Sequence, residues 1–256
     1  MRATYLRPMT NTLTGKVALI TGASKGIGRA IAAHFAQLGA DVAFTYLSSV
    51  EKGQALETEL SAAGTKVKGY RSDASDYAQA EKLIEDVVAD FGKLDILVNN
   101  AGAMFLERAL TAEQIERTFA LNHLNYFTLT LLLLNQLAAA AKPDAPARII
   151  NVSSRAHRAA RLDLDDVQLV HGYGGWRAYS NSKLCNILFT AALARRMNPA
   201  RIVAHAMHPG VVSTRFASNN GMRGRLLRQV MDWFSVTPEQ GADTIVWLAS
   251  ADDALR

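Results

Sequence analysis

Six short, nearly unbroken apolar runs recur along this chain, and helical patterns fill the gaps between them. The runs are 16–21 (KVALIT), 41–46 (DVAFTY), 66–71 (KVKGYR), 94–99 (LDILVN), 147–153 (ARIINVS) and 201–208 (RIVAHAMH). A strand with no polar alternation has to be covered on both faces, which is the situation of a parallel sheet between two helical layers. In 78–92 (AQAEKLIEDVVADFG), Ala80, Leu83, Ile84, Val87, Val88 and Phe91 fall on one stripe, with Gly92 as the stop. The stretch 182–196 (SKLCNILFTAALARR) repeats that stripe through Leu184, Ile187, Leu188 and Ala191. Strands alternating with helices of this length imply right-handed βαβ units. The expected fold is therefore α/β, a single domain built on a doubly wound, Rossmann-type parallel sheet with helices on both faces. Its expected limits are 14–256, after an N-terminal extension at 1–13 and with substrate loops near 155–178 and 211–237. No Pro- or Gly-rich linker, repeat or low-complexity tract divides the 256 residues.

Composition narrows the function classes. The formal net charge is +5, with basic residues scattered apart from a run near Arg223–Arg228, so a nucleic-acid surface has no support. One cysteine, Cys185, cannot form an intrachain disulfide, and a reducing, cytoplasmic compartment is expected. It reads as a buried, inert thiol. The N-terminus lacks the apolar segment of a secretory signal. The greasiest stretch, 127–141, is interrupted by Asn135 and Gln136 and is too short to span a bilayer. It reads as a buried helix, and no integral membrane segment is expected. The six histidines have no ligand spacing, so no metal is expected.

The first run leads directly into TGASKGIGRAIA, a glycine-rich turn that opens a helix. Gly22, Gly26 and Gly28 would let backbone approach a pyrophosphate, and the N–H groups at a helix start would face it. A glycine triplet alone is weak, since a plain tight turn has the same spelling. Its place between a strand and an apolar-periodic helix strengthens it. At the end of the second run an acidic residue would bind the adenosine ribose of NAD and repel an added 2′-phosphate. Here Tyr46 takes that place, followed by Ser48 and Ser49, and Lys25 brings a cation into the turn. These features favour NADP(H) over NAD(H).

The stretch YSNSK, 179–183, sets a phenol and an amine four residues apart on one helix face. Many helices carry such a pair on a solvated surface. Together with TGASKGIG, NNAG at 99–102 and NVSS at 151–154, however, it resembles the short-chain dehydrogenase/reductase family from residue 14 to about 250. Up to NNAG the text is similar to bacterial 3-oxoacyl-[acyl-carrier-protein] reductases. From about Phe119 it is similar to the retinol dehydrogenase and protochlorophyllide reductase branch, as in LNHLNYFTLTLLLL and HPGVVST. Such a two-branch text would fit a natural mosaic, a fusion or a truncation. The chain stops at LASADDALR, where the family continues into a final strand.

The resemblance implies a catalytic set of Asn122, Ser154, Tyr179 and Lys183. It also implies cofactor contacts from Gly22, Ser24, Lys25, Gly26, Ile27, Gly28, Tyr46, Ser48, Asp73, Asn99, Ala101, Gly102, Tyr179, Lys183, Pro209, Gly210, Val212 and Thr214. Asn122 is placed in the next-to-last long helix before the 147–153 strand, where it would hold a water linking Lys183 to solvent. A polar residue satisfied locally within its helix is an equal reading on spacing alone. Ser153 and Ser154 face opposite ways along a strand, and the motif aligns Ser154. A phenol of pKa about 10 would be made more acidic by a neighbouring ammonium. Tyr173, without a lysine four residues on, reads as a loop residue; His157 and His171 read as surface residues beside the site.

Three functions follow from this reading. The first is an NADP(H)-dependent oxidoreductase acting on a lipophilic aldehyde, ketone or alcohol. The second is a 3-oxoacyl-thioester reductase. The third is a dinucleotide-binding sensor or scaffold without turnover, which would have no need of Ser154, Tyr179 and Lys183. The expected partners are a small carbonyl or alcohol substrate and further copies of the chain, as a homo-dimer or homo-tetramer. An amphipathic stripe in 215–237, through Leu226, Leu227, Val230, Met231 and Phe234, reads as an apolar lid; a helix packed on the sheet and, less favoured, a membrane-surface segment are the other readings.

Overall fold

Every one of the six apolar runs forms a strand in the computed structural model, which describes residues 12–210 and 236–255. They are β1 (Val17–Ile20), β2 (Asp41–Tyr46), β3 (Val67–Arg71), β4 (Ile96–Asn99), β5 (Ala147–Val152) and β6 (Ile202–Met207). All pairings are parallel, in the order β3-β2-β1-β4-β5-β6. Strands β1, β4 and β5 are buried at every position, the physical reason for their unbroken apolar spelling.

Between the strands lie α1 (Gly26–Gln37), α2 (Val50–Ser61), α3 (Tyr77–Phe91), the single turn α4 (Arg117–Phe119), α5 (Asn125–Ala140) and α6 (Gly175–Arg196), and α7 (Pro238–Ser250) comes after β6. A π-helical segment, Ala120–Leu124, joins α4 to α5. Consecutive strand residues feed opposite layers. Ile20, Phe44, Val98 and Ile150 pack with Ile31 and Phe35 of α1 and with Ile245 of α7. Leu19, Leu97 and Ile149 pack with Leu83 and Val87 of α3, Leu129 and Leu133 of α5, and Leu193 of α6. Truncating Phe35, fully buried here, to Ala would cost about 3–5 kcal/mol.

Local chemistry sets the helix ends. Asp76 caps α3 by accepting from the Gln79 amide, and Gly92 ends that helix at φ 74, a left-handed conformation that suits glycine. Thr237 and Gln240 form a reciprocal capping box at the start of α7, with Pro238 in its first turn. The other end of α7 is tied to the sheet by the buried Arg148 of β5, whose Nη1 donates to the carbonyls of Leu248 and Ala251 at 2.7 and 2.9 Å.

Two expectations need correction. The 127–141 stretch is not buried all round: Phe127 and Leu131 are exposed, because α5 meets the sheet with one face only. Leu13, placed in the extension, is 2% exposed and packs in the α1 layer, its amide bonded to the Leu38 carbonyl. Among the described residues no helix is long and apolar enough to cross a membrane.

Candidate active site

A parallel sheet brings the carboxyl ends of all its strands to one edge, and the strand order reverses there between β1 and β4. A cavity of about 880 Å³ opens at that edge. The glycine turn forms its floor. Gly22 sits at φ 70, where a Cβ would lie 2.9 Å from the Ala101 Cα; Gly28 leaves no room either, with the Gly22 carbonyl 2.5 Å from a built Cβ. The turn is fixed from outside: Gly22 N donates to Thr45 Oγ1, and Asn100 Nδ2 donates to the carbonyls of Thr21 and Gly22. Lys25 precedes α1 without capping it, and no acid stands in the first turn, so the helix start is open to an anion. These features fit a dinucleotide pyrophosphate.

Of the residues singled out in the sequence, the cavity wall brings together Gly22, Ser24, Lys25, Gly26, Ile27, Gly28, Tyr46, Ser48, Asp73, Ala101, Gly102, Ser154, Tyr179, Lys183, Pro209 and Gly210. Val212, Thr214 and the 215–237 stripe up to residue 235 lie outside the described residues. Asn99 is not part of the wall. Its fully buried amide donates instead to Thr130 Oγ1 and Asn151 Oδ1, at 3.1 and 2.9 Å, because the pleat turns the last residue of β4 away from the cavity. Tyr46 is both wall and packing: its ring covers Gly53, where a Cβ would lie 2.6 Å from it.

Asn122 is not in the next-to-last long helix; it sits in the π segment continuous with α5, the helix that immediately precedes β5. Its side chain brackets Ala103, accepting from that amide and donating to that carbonyl at 2.9 Å each, and it also donates to Ser182 Oγ. Local satisfaction within the helix is therefore excluded. The backbone carbonyl of Asn122 accepts from Asn186 Nδ2 at 2.9 Å, an acceptor that regular α-helical pairing would have engaged. At Gly102 the groups converge, since a Cβ there would meet Asn122 Oδ1 at 3.1 Å and Lys183 Nζ at 3.4 Å.

Ser154 and Tyr179 share a hydrogen bond, and Ser154 Oγ also accepts from the Ala156 amide. Ser153 points elsewhere and donates to the Lys183 carbonyl at 2.8 Å. Lys183, 3% exposed, donates to the Val152 carbonyl at 3.0 Å, with Nζ 5.7 Å from the Tyr179 ring centre and 5.2 Å from that of Tyr126. Burial pushes the Tyr179 phenol up to about 12, only partly opposed by Ser154, and brings Lys183 down to about 7. The expected acidifying effect of the amine is thus outweighed in the chain by itself, because a dry site disfavours both charged forms.

The lowered Lys183 value has a readout. Between about pH 7 and the ordinary lysine value of about 10.4, the unfolded chain binds the proton that the folded chain lacks, so stability contributed by this group rises with pH. The gap in melting temperature between the wild type and Lys183→Met should move in favour of the wild type from pH 7 to 10. A gap that stays flat in thermal denaturation across that window would refute the assignment.

Several wall residues carry no motif and escape a reading of the sequence for function: Lys52 at the β2 end, and Phe105, Arg117 and Leu121 beyond Tyr179. Arg155 and Trp176, both in the wall, belong to the 155–178 stretch expected to be a substrate loop, and the Trp176 ring centre lies 6.2 Å from that of Tyr179. Tyr173 is a brace: its hydroxyl donates to the Phe105 carbonyl at 2.9 Å and lies 3.3 Å from the buried Glu116 carboxylate. His171 is exposed, while the half-buried His157 is bonded to the Ser154 carbonyl. Burial pushes the Cys185 thiol up to about 11, as suits an unreactive core cysteine.

Known proteins resemble this chain in sequence and fold. A family model described as short chain dehydrogenase matches residues 16–223. The chain is 38% identical over 243 residues to "Retinol dehydrogenase 12" of Mus musculus, covering 94% of this chain and 75% of that protein. It is 37% identical to "Retinol dehydrogenase 11" of Homo sapiens, covering 91% and 72%. Both matches run across the two halves that read as different branches. Among solved structures, a short chain dehydrogenase from Burkholderia cenocepacia J2315 in complex with NADP superposes with a TM-score of 0.76 at 29% identity, covering 94% of this chain and 93% of that one. A blue fluorescent protein from a metagenomic library in complex with NADPH gives 0.74 at 32%, again covering 94% and 93%. With strand order, glycine turn and family model in agreement, the chain belongs to the short-chain dehydrogenase/reductase family, in its retinol dehydrogenase-like branch, and is an oxidoreductase acting on CH–OH groups.

Proposed function

We propose that this chain is an NADP(H)-dependent oxidoreductase for a lipophilic aldehyde, ketone or alcohol, with Tyr179 exchanging the proton at the substrate oxygen. The observation that carries the reading is the Ser154–Tyr179 hydrogen bond in the wall of a cavity whose floor is the glycine turn. A bound nicotinamide supplies the hydride donor or acceptor. Ser154 would hold the substrate oxygen as charge develops on it, and Tyr179 would give that oxygen a proton or take one from it. Lys183, at the base of the site, would hold the nicotinamide ribose and carry charge when a counter-anion enters. Asn122 would fix the Ala103 backbone beside it. Phe105, Leu121 and Trp176 supply an apolar wall beyond Tyr179.

The similarity to retinol dehydrogenases supports the lipophilic reading over the 3-oxoacyl-thioester one. Following NADPH oxidation against long-chain aldehydes and acetoacetyl thioesters tests both. Turnover of the thioesters alone would select the second, and binding of NADPH without any turnover would select the sensor. The preference for NADP(H) is supported by Lys25, Ser48, Ser49 and Lys52 around the β2 end, against a single acid, Asp73, among the described wall residues. Tyr46→Asp should move the ratio of kcat/KM values toward NAD(H) by at least about tenfold, since a carboxylate there repels a 2′-phosphate. An unchanged ratio would overturn the assignment.

A homo-dimer or homo-tetramer belongs to the same reading. Phe127, Leu131 and Leu188 stand exposed on the outer face of α5 and α6, an apolar surface that a second copy would cover. The cytoplasmic location expected from the single cysteine is likewise part of the proposal.

A further inference from the structure

The walls beyond Tyr179 do not match a wholly neutral substrate. Arg117 and Arg155 both line the cavity there and are exposed. Among the described residues no carboxylate lies within ion-pair distance of either guanidinium, and no acid lines that end of the cavity. The carboxylate next in sequence to Arg117 is already engaged: Glu116 is 2% exposed and accepts from the Thr118 and Phe119 amides at 2.8 Å. Arg117 therefore stands without its obvious counter-charge.

Its position is held. The guanidinium carbon lies 4.4 Å over the Phe105 ring, and the Arg117 amide donates to the Ala109 carbonyl at 2.9 Å. Phe105 is pinned in turn by the Tyr173 hydroxyl on its carbonyl and by the start of α6, where a Cβ on Gly175 would come within 2.4 Å of the same oxygen. A planar cation stacked on a fixed ring keeps its N–H edge free for an oxyanion. Arg155 follows Ser154 directly. Burial, and after it the charges of Arg155, His157 and Arg158, holds the His208 imidazole below its usual range, so Arg155 is one of several cationic groups around this lip.

We propose that the physiological substrate is amphipathic: its reacting carbon sits on an apolar segment that packs between Phe105, Leu121 and Trp176, and the same molecule carries an oxyanion received by Arg117 with the support of Arg155. This rests on the oxidoreductase reading for the reaction, though not for the binding. The substrate class that follows is carbonyl or alcohol compounds with a carboxylate or phosphate, rather than neutral lipids.

The test compares NADPH oxidation with four matched compounds: a straight-chain aldehyde, the same chain ending in a carboxylate, the methyl ester of that acid, and the same chain ending in a phosphate monoester. The charged compounds should exceed the neutral pair by about tenfold in kcat/KM, mostly through KM, and added salt should shrink the difference. Preference for the carboxylate or for the phosphate identifies the source of the anion. Arg117→Gln should collapse the charged-to-neutral ratio, whereas Arg196→Gln, which removes a charge at the far end of α6, should leave it. Equal kcat/KM for charged and neutral chains, or a preference that survives both Arg117→Gln and Arg155→Gln, would overturn the proposal. If the wild type reduces none of the four, the lipophilic-aldehyde reading fails separately. Titration of the NADP⁺-loaded protein with a fatty acid and the matching fatty alcohol then decides the anion site: tighter binding of the acid, lost in Arg117→Gln, supports it, and equal binding rejects it.

Discussion

Tyr179→Phe should lower turnover by at least about a hundredfold, the low end of what a positioned general acid or base contributes, while NADPH binding and the melting temperature change little. The substitution removes one oxygen and keeps the ring, which packs with Met104 and Ala156 and faces Trp176. Ser154 loses one hydrogen-bond partner but keeps the Ala156 amide. Because burial holds the phenol near 12, the wild-type group is protonated at neutral pH and ready to donate during carbonyl reduction. Alcohol oxidation needs the opposite form and should speed up as pH rises. Steady-state rates in both directions across pH 6–10 check this. A variant that turns over normally with intact folding, or an oxidation rate independent of pH, would remove Tyr179 from the proton path.

Gly28→Ala should damage the chain nearly as much by a different route. The added methyl would meet the Gly22 carbonyl at 2.5 Å, Asn100 Nδ2 at 2.7 Å and the Ala23 Cα at 2.9 Å. Two of those atoms are backbone and cannot yield without opening the turn. Overpacking of this kind costs about 1–3 kcal/mol, so the melting temperature should fall by several degrees at about 2–4 °C per kcal/mol. The larger effect is on the ligand: displacing the turn pulls the α1 amides away from a pyrophosphate, and NADPH affinity measured by fluorescence should drop by more than tenfold. Undiminished affinity would mean that this turn does not hold the dinucleotide. The Gly22 backbone is less informative, since its φ of 70 strains any side chain whatever the ligand does.

The sheet was legible because burial on both faces writes itself into sequence as unbroken apolar runs, and each of the six became a strand. The glycine turn was legible for a related reason, since close backbone approach excludes side chains. What could not be read depends on three-dimensional placement. The pleat that turns Asn99 inward and leaves Asn100 to brace the turn has no spelling of its own, because both are the same residue type. Arg117 lies in a stretch without periodicity or motif, and it becomes part of the cavity only when α4 settles against α6. The burial that raises the Tyr179 phenol and lowers the Lys183 amine was illegible for the same kind of reason. Proximity of an amine to a phenol is visible four residues apart, but the depth at which both are buried is not.

The five residues Ala120–Leu124 also limit how this helix can vary in length. Removing one of them would let the winding relax to regular α turns, and each residue of an α-helix accounts for about 100° of rotation. Everything upstream would swing by that angle relative to α5, carrying the Asn122 amide out from beneath Gly102 and breaking its grip on Ala103. Relatives that keep this chemistry should therefore tolerate insertions and deletions in surface turns such as 62–65, yet hold a constant residue count from 117 to 140.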